Sequence, residues 1–288
     1  MLQTSVAAAE PLIPHRARSE VARRLVVYLL LVAIALLFFT PFIWSLSTSF
    51  KTLPETVYYN LIPHPFTAAA WKSVWTEYDF KRYALNSLFL AVTVTVINLF
   101  LASLGGYAFA RLRFPGRDRL FVVYLSALMI PAVLLLVPRF LLISALGWVD
   151  SYQGLISTEL VSVSGIFLLR QFFLAIPRDL EDAARLEGAG EWTIFRRVVL
   201  PLSGPGLGTL VVLALADQWK SFFWPLVATS SPEMQVLEVG IARLHGAYDL
   251  NWPYQMAAAT VAVIPMVVLY FVAQKYFLRG IEALSPHC

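Results

Sequence analysis

Four charges stand where the surrounding chain makes charge expensive. Asp217 and Lys220 lie three residues apart in the apolar run Leu207–Val227, and Glu159 sits in Tyr152–Phe173 beside Ser157, Thr158, Ser162 and Ser164. Arg139 interrupts a third such run. A charged group at the centre of a bilayer costs about 2.5–3.5 kcal/mol on insertion scales, so each needs a partner or a solute to contact. The i,i+3 spacing places Asp217 and Lys220 on one helix face. There they either neutralise each other or line a path for a polar solute, with Ser221 and Glu159 adding polar groups. Asn98 and Arg139 read as helix-packing or snorkelling groups.

Other chemistry is excluded by what the motifs lack. None of the five lysines follows a glycine, so no Gly-Lys-Ser/Thr loop exists to hold nucleotide phosphates. His15, His64, His245 and His287 are scattered without metal-ligand spacing, and no Gly-x-Ser-x-Gly nucleophile elbow occurs. Cys288 is the single cysteine, which rules out an intrachain disulfide and a cysteine metal cluster. The expectation is a protein that is not an enzyme, with no catalytic residues, no metal and no cofactor of its own.

The elements that must carry these charges are membrane helices. The chain is 59% hydrophobic and 14% charged, with mean hydropathy +0.69. Windows long enough to cross a hydrocarbon core of ~30 Å predict six spans: Leu25–Leu46, Leu85–Ala110, Leu120–Leu142, Tyr152–Phe173, Leu207–Val227 and Tyr254–Phe277. The polar load of Tyr152–Phe173 requires a face turned toward protein or water. The first run lies too late and is too long for a cleaved signal, so it reads as a retained helix. Arginines and lysines cluster before the first span (Arg16, Arg18, Arg23, Arg24), after the second (Arg111, Arg113, Arg117, Arg119), after the fourth (Arg170, Arg178, Arg185, Arg196, Arg197) and at the end (Lys275, Arg279). By the positive-inside rule both termini are cytoplasmic, and the net charge of +4 is a topology signal that gives no argument for nucleic acid. The longest outer loop, 47–82, carries Tyr58, Tyr59, Trp71, Trp75 and Tyr78, read as part of an interfacial aromatic belt. Gly147-Trp148 marks a tight turn that makes the third and fourth spans antiparallel neighbours.

A charged island, Asp179 to Pro201, lies between these oily runs. Glu181 and Asp182 sit at the start of a helix behind Pro177. Leu180, Ala183, Ala184 and Glu187 share one face, whose two alanines permit close approach by another surface. Gly188 and Gly190 break the helix, and Trp192, Phe195, Val198 and Val199 form a second stripe that Pro201 ends. Two short amphipathic helices joined at a glycine make a compact knob; the competing reading is a helix lying on the lipid surface.

The order Asp182-Ala183-Ala184, Gly188, then Val198-Val199-Leu200-Pro201 resembles the Glu-Ala-Ala loop of permease subunits of binding-protein-dependent ABC importers, with Asp182 for the usual Glu and Val198 for the usual Ile. The likeness extends along most of the chain through Pro41–Lys51, Tyr83–Ser87, Gly106–Leu112 with Phe114–Gly116, Met129–Pro131 and Gln274–Gly280, and it is closest to the maltose-permease-like second subunits of the carbohydrate branch. The resemblance implies an all-α polytopic protein with the type I importer permease fold in a prokaryotic inner membrane. Residues 1–24 and 279–288 would be cytoplasmic tails, with a six-helix domain over 25–278 that contains the coupling loop 176–205. It also implies that Glu181, Asp182, Ala183, Ala184, Gly188, Val198, Leu200 and Pro201 meet a cytoplasmic ATPase, present in two copies. A homologous second permease, an extracytoplasmic solute-binding protein, membrane lipid and a sugar or sugar-like solute complete the expected partners. Where the family commonly shows Asn and a carboxylate before Trp-Pro-Leu, this chain has Lys220 and Ser221, which points toward an anionic or unusual sugar. The alternative is an ion-coupled secondary transporter relaying charge through Asp217, Lys220 and Glu159.

Overall fold

The computed structural model describes residues 15–244 and 251–284; His245, His287 and Cys288 lie outside them. The described residues form helices and connections. Helix α1 (His15–Thr48) leads through a 3₁₀ turn, Leu53–Val57, to α2 (Ala69–Thr76) and α3 (Phe80–Arg111). Then follow α4 (Arg117–Ser126), α5 (Leu136–Ala145), α6 (Tyr152–Ser157), α7 (Val163–Ala175) and α8 (Asp179–Leu186). Helix α9 (Glu191–Ile194) passes through a π-helical turn, Phe195–Val199, into α10 (Leu200–Leu202). The chain ends with α11 (Gly204–Trp219), α12 (Phe223–Ala228), α13 (Leu237–Arg243) and α14 (Trp252–Leu284).

Three stretches are long and apolar enough to cross a bilayer alone: Arg23–Thr48, Phe80–Ala110 and Trp252–Gln274. The expected third span is instead bent by 92° between Arg117–Met129 and Ala132–Ala145. Pro131 causes the break, because it lacks an N–H to continue the ladder and drives Ile130 into extended backbone, φ −86° and ψ 116°. The expected fourth span is two pieces, α6 and α7, separated at Thr158–Ser162 by the polar residues noted above. Each piece has its own hydroxyl cap: Ser151 accepts from the Gly154 N–H at 3.2 Å, and Ser162 from the Gly165 N–H at 2.9 Å. The fifth begins at α11, which lies 77° off the preceding helix Glu191–Leu202.

Packing explains which helices are central. On α3, Ala102, Gly106 and Ala110 recur every fourth residue and are all buried. This strip of small residues lets α7 approach so closely that a Cβ on Gly106 would lie 3.1 Å from the Arg170 amide nitrogen and from Leu169 Cβ. Around it Tyr107, Phe121, Ile166, Phe173, Ile194, Phe195 and Val199 close one apolar cluster. The clustering of Ile194, Phe195 and Val199 here means the charged island is seated on the bundle, not laid out on lipid. A second cluster joins α2 to α14 through Val74, Phe80, Trp219, Leu237 and Ala258, and a third joins α5, α6, α12 and α13 through Ile143, Leu155, Trp224 and Val239.

Helix α1 is different, with Leu37 and Phe38 each 71% exposed and no residue of its most apolar window buried. An all-apolar helix with an exposed surface suits lipid or another membrane subunit. In the loop after it, the aromatics divide. Tyr59 is 94% exposed, whereas Trp71 stacks on Phe50 at 5.6 Å and donates to Ser49 Oγ at 3.1 Å. Lys51 is fully buried, capped by the Asn60 carbonyl and 4.6 Å from the Trp44 ring, so it holds the loop together.

Candidate functional site

Two polar assemblies emerge from this scaffold. The first is the knob formed by α8, the Gly188 turn and α9. Gly188 has φ 85°, the left-handed conformation, and a Cβ there would meet nothing within 4 Å. The glycine is therefore required by backbone conformation rather than by crowding. Beyond the turn the sequence reading needs a correction: Pro201 does not end the second helix, which runs on to Leu202. The π turn absorbs the change of register, with the Leu200 N–H reaching back to the Phe195 carbonyl, so the proline's missing donor falls beyond it.

Of the three acidic residues in the first turn of α8, Glu181 and Asp182 point in opposite directions. Glu181 is buried, with Oε1 2.9 Å from Arg111 Nε at the end of α3. Arg111 also donates to the Phe173 carbonyl and, at 2.6 Å, to the Ile176 carbonyl at the end of α7. Asp182 faces out, 64% exposed at its side chain, and pairs with Arg185 Nη1 at 2.8 Å. Arg185 reaches across the glycine turn to Glu191 at 3.0 Å, and this hydrogen bond leads the influences that raise its already high pKa. Glu191 in turn accepts from the Tyr107 hydroxyl at 2.8 Å, which ties the knob to α3. Ala183 is exposed, Ala184 is half-buried against the core, and Val198 and Leu200 pack on the same cluster while Pro201 is exposed. Leu186 is 91% and Trp192 59% exposed. The knob thus offers an apolar tip flanked by Asp182, held from behind by an ion-paired frame.

The second assembly is at the helix breaks. Glu159, in the gap between α6 and α7, forms an ion pair with Arg139 of α5, and the same guanidinium donates to Thr158 Oγ1 at 2.7 Å. Gln218 Nε2 lies 3.4 Å from the other Glu159 oxygen, and the Arg139 guanidinium stacks 4.1 Å from the Trp224 ring. Of the two readings open for Arg139, helix packing is the one its contacts fit, and snorkelling is not. For Asp217 and Lys220, mutual neutralisation, one of the two readings open, is not what the structure has: they form no ion pair with each other among the described residues. Lys220 falls where α11 ends, and both side chains are exposed.

They open instead into two cavities. One, of 670 Å³, is lined by Asn98, Glu159, Ser162, Ser164, Asp217 and Lys220 among others. The other, of 440 Å³, is lined by Arg139, Glu159, Asp217, Lys220, Ser221 and Trp224 among others. Glu159, Asp217, Gln218 and Lys220 line both and Ser221 the second, so Glu159, Asp217, Lys220 and Ser221, the path residues read from the sequence, gather at one polar belt. Sequence reasoning missed the pairing of Arg111, Tyr107 and Gln218, whose partners are set by tertiary packing, and that of Arg185 with Glu191, which the glycine turn brings together.

Residues 102–283 match the family described as "Binding-protein-dependent transport system inner membrane component". The arabinooligosaccharides transport system permease protein AraQ of Bacillus subtilis (strain 168) is 36% identical over 200 residues, covering 69% of this chain and 71% of that protein. The trehalose/maltose transport system permease protein MalG of Thermococcus litoralis is 29% identical over 271 residues, covering 92% and 98%. The sn-glycerol-3-phosphate transport system permease protein UgpE of Brucella abortus (strain 2308) is 32% identical over 203 residues, covering 70% and 72%. Among solved structures, a chain of a bacterial ABC transporter involved in the import of the acidic polysaccharide alginate superposes with a TM-score of 0.81, at 26% identity over 92% of this chain and 99% of that one. The match takes in the knob, the polar belt and the helices that hold both, and the chain belongs to the family of inner membrane components of binding-protein-dependent transport systems.

Proposed function

We propose that this chain is the permease subunit of an ATP-driven ABC importer for a sugar or sugar-like solute. The observation that carries the reading is the exposed knob on a chain-long permease fold. Leu186, Gly188 and Trp192 present an apolar tip, with Asp182 available to a basic group, on the side that the arginine distribution makes cytoplasmic. A separate ATPase, in two copies, would receive this tip; a second permease would complete the path, and an extracytoplasmic binding protein would deliver the solute. The six-span count and cytoplasmic termini follow if α4–α5 and α6–α7 are each taken as one broken span and α11 as a span of its own; the apolar halves on either side of the 92° break at Pro131 support the first of these.

The chemistry of the belt suits a polyhydroxylated solute. Glu159, Gln218, Ser221, Asp217 and Lys220 offer donors and acceptors, while Phe223, 59% exposed, supplies an aromatic face. Lys220, in no ion pair among the described residues, favours a solute that carries a carboxylate or phosphate. The relatives named for sn-glycerol-3-phosphate and the neighbour named for alginate take anionic solutes, while others are named for arabinooligosaccharides and for trehalose and maltose. The comparisons give the ion-coupled carrier no support.

The test is purification of the tagged chain from its own membranes with whatever accompanies it, followed by uptake assays in liposomes with ATP or with an imposed ion gradient. A second permease and an ATPase in the preparation, with uptake that survives an ionophore and stops without ATP, are expected. A lone protein whose transport collapses with the ion gradient would overturn the reading.

A further inference from the structure

We infer that the basic groove at the α3–α4 connection is a binding site for an anionic phospholipid. Arg113, Arg117, Arg119 and Arg178 line an open concavity of 820 Å³ around the Phe114-Pro115-Gly116 turn, and Asp118 is the one acidic residue in its wall. That carboxylate is already engaged, 3.0 Å from Arg117 Nε and 3.8 Å from Arg170 Nη2. No ion pair reaches Arg113, Arg119 or Arg178 among the described residues, and all three are exposed. Three unpaired guanidiniums around one concavity repel one another and favour an anion with several oxygen acceptors, the chemistry of a phosphodiester.

The surroundings choose a lipid over a soluble anion. The long apolar stretch of α3 ends at Ala110 and the next begins at Arg117, so the groove lies where two membrane helices emerge. Val122 and Val123 stand at i+3 and i+4 from Arg119, on its face of α4, and each is 66% exposed. Phe121, two residues from Arg119 and so on the other face of α4, is buried against α7 and beneath the Arg170 guanidinium, 4.2 Å from its ring. A headgroup held by Arg113, Arg119 and Arg178 can therefore continue into acyl chains lying along Val122 and Val123. Basic pockets between membrane helices on the cytoplasmic side are suited to such headgroups. The groove also borders the knob, since Arg113 and Arg178 line the adjoining concavity with Glu181, Asp182 and Arg185. A bound lipid would thus stand beside the proposed coupling surface, and this last consequence rests on the permease reading.

The experiment uses the intact complex, delipidated by a long detergent wash. Bound lipid is extracted and quantified, and thermal stability is read with added phosphatidylglycerol, cardiolipin, phosphatidylcholine or inorganic phosphate. Wild-type complex is expected to retain phosphatidylglycerol or cardiolipin and to be stabilised by these but not by phosphatidylcholine. Arg113→Gln and Arg119→Gln are each expected to lower retention about fivefold, from the contribution of one basic residue near an anionic surface. Arg119→Lys keeps the charge and most of the retention; Arg82→Gln, on the outer side, leaves it unchanged. Equal retention by the Gln variants would overturn the assignment. So would stabilisation by inorganic phosphate alone, or loss of the ATPase subunit from the Gln variants with lipid retention intact. Because lipid is counted directly, a complex that transports nothing still tests the site.

Discussion

Arg111 Nε lies 2.9 Å from Glu181 Oε1, with side chains only 2% and 3% exposed, and this contact binds the end of α3 to the first turn of α8. It is a charge–charge contact, since neither atom achieves hydrogen-bond alignment, while Nη2 of the same guanidinium donates to the Phe173 and Ile176 carbonyls that end α7. One arginine therefore holds three elements at the base of the knob. Removing one partner of a buried pair leaves an uncompensated charge and costs about 3–5 kcal/mol. Arg111→Met is expected to sharply reduce the amount of folded complex, and Arg111→Met with Glu181→Leu to recover much of it. The readout is a double-mutant cycle of thermal denaturation. Additive losses would show that the two side chains do not act as a pair.

At Gly188 the expected consequence is functional rather than structural. The space around its Cβ position is empty, so Gly188→Ala suffers only the left-handed backbone penalty of about 1–2 kcal/mol. Proline is worse, because it requires φ near −65° where the turn has 85° and removes the N–H that donates to the Arg185 carbonyl at 3.0 Å. Gly188→Pro is expected to stay in the membrane with ATP hydrolysis detached from uptake, and Gly188→Ala to fall between it and wild type. Full uptake by the proline variant would remove the turn from coupling.

Arg139 and Glu159 carry a prediction about the path itself. Their ion pair closes the polar belt shared by both cavities, and Gln218 and Thr158 brace it. Glu159→Gln alone is expected to lower uptake at least tenfold, while Arg139→Glu with Glu159→Arg restores part of it. Lys220→Ala is expected to shift preference among solutes without lowering complex yield. Competition among sugars of different charge in the uptake assay measures this, and an equal loss of complex and uptake would make Lys220 an assembly residue.

How far these features were readable depends on whether the signal is local. Long apolar runs predicted α1, α3 and α14, and Gly188 between two amphipathic stretches predicted the knob, because period and turn chemistry act over a few residues. The bend at Pro131 carried a local signal, yet apolar residues on both sides made it read as one span. Arg139 read only as a helix-packing or snorkelling group, with no named partner, because that partner stands twenty residues away across a turn. Arg111 read as one of many cytoplasmic cations, since nothing near it in sequence reveals that α8 folds back onto it. Charge pairs formed by tertiary packing leave no periodic trace.

The contact between α3 and α7 gives a prediction independent of transport. Gly106 lies where a Cβ would crowd Leu169 Cβ and backbone at 3.1 Å and Phe173 at 3.2 Å, neighbours that are themselves buried. Gly106→Ala is expected to cost about 1–3 kcal/mol through overpacking, and Gly106→Leu to prevent assembly. Gly116→Ala meets no neighbour and has only its φ of 75° against it. The melting temperatures of the Gly106 alanine and leucine variants check that packing cost; a Gly106→Ala protein as stable as wild type would mean the helices do not approach as closely as described.

Asp150 couples stability to pH on the other side of the protein. Its backbone sits at φ 58°, and its Oδ1 accepts the Ser230 and Ser231 N–H groups at 3.0 and 3.1 Å, tying the turn after α5 to the end of α12. Burial alone would raise the carboxyl pKa, but the bonds from Ser230 and Ser231 outweigh it and hold the group below its ordinary value. A carboxyl depressed in the folded state binds protons more readily when unfolded, so its contribution is complete above the unfolded pKa of about 3.9. That contribution is lost as pH falls through the lower folded value. Asparagine tolerates the same backbone and still offers an acceptor, but it does not titrate. Asp150→Asn is therefore expected to melt slightly lower than wild type at pH 7 and to show a smaller drop between pH 5 and pH 3, followed by thermal denaturation in detergent. Identical pH slopes would show that the carboxylate is not held by these amides.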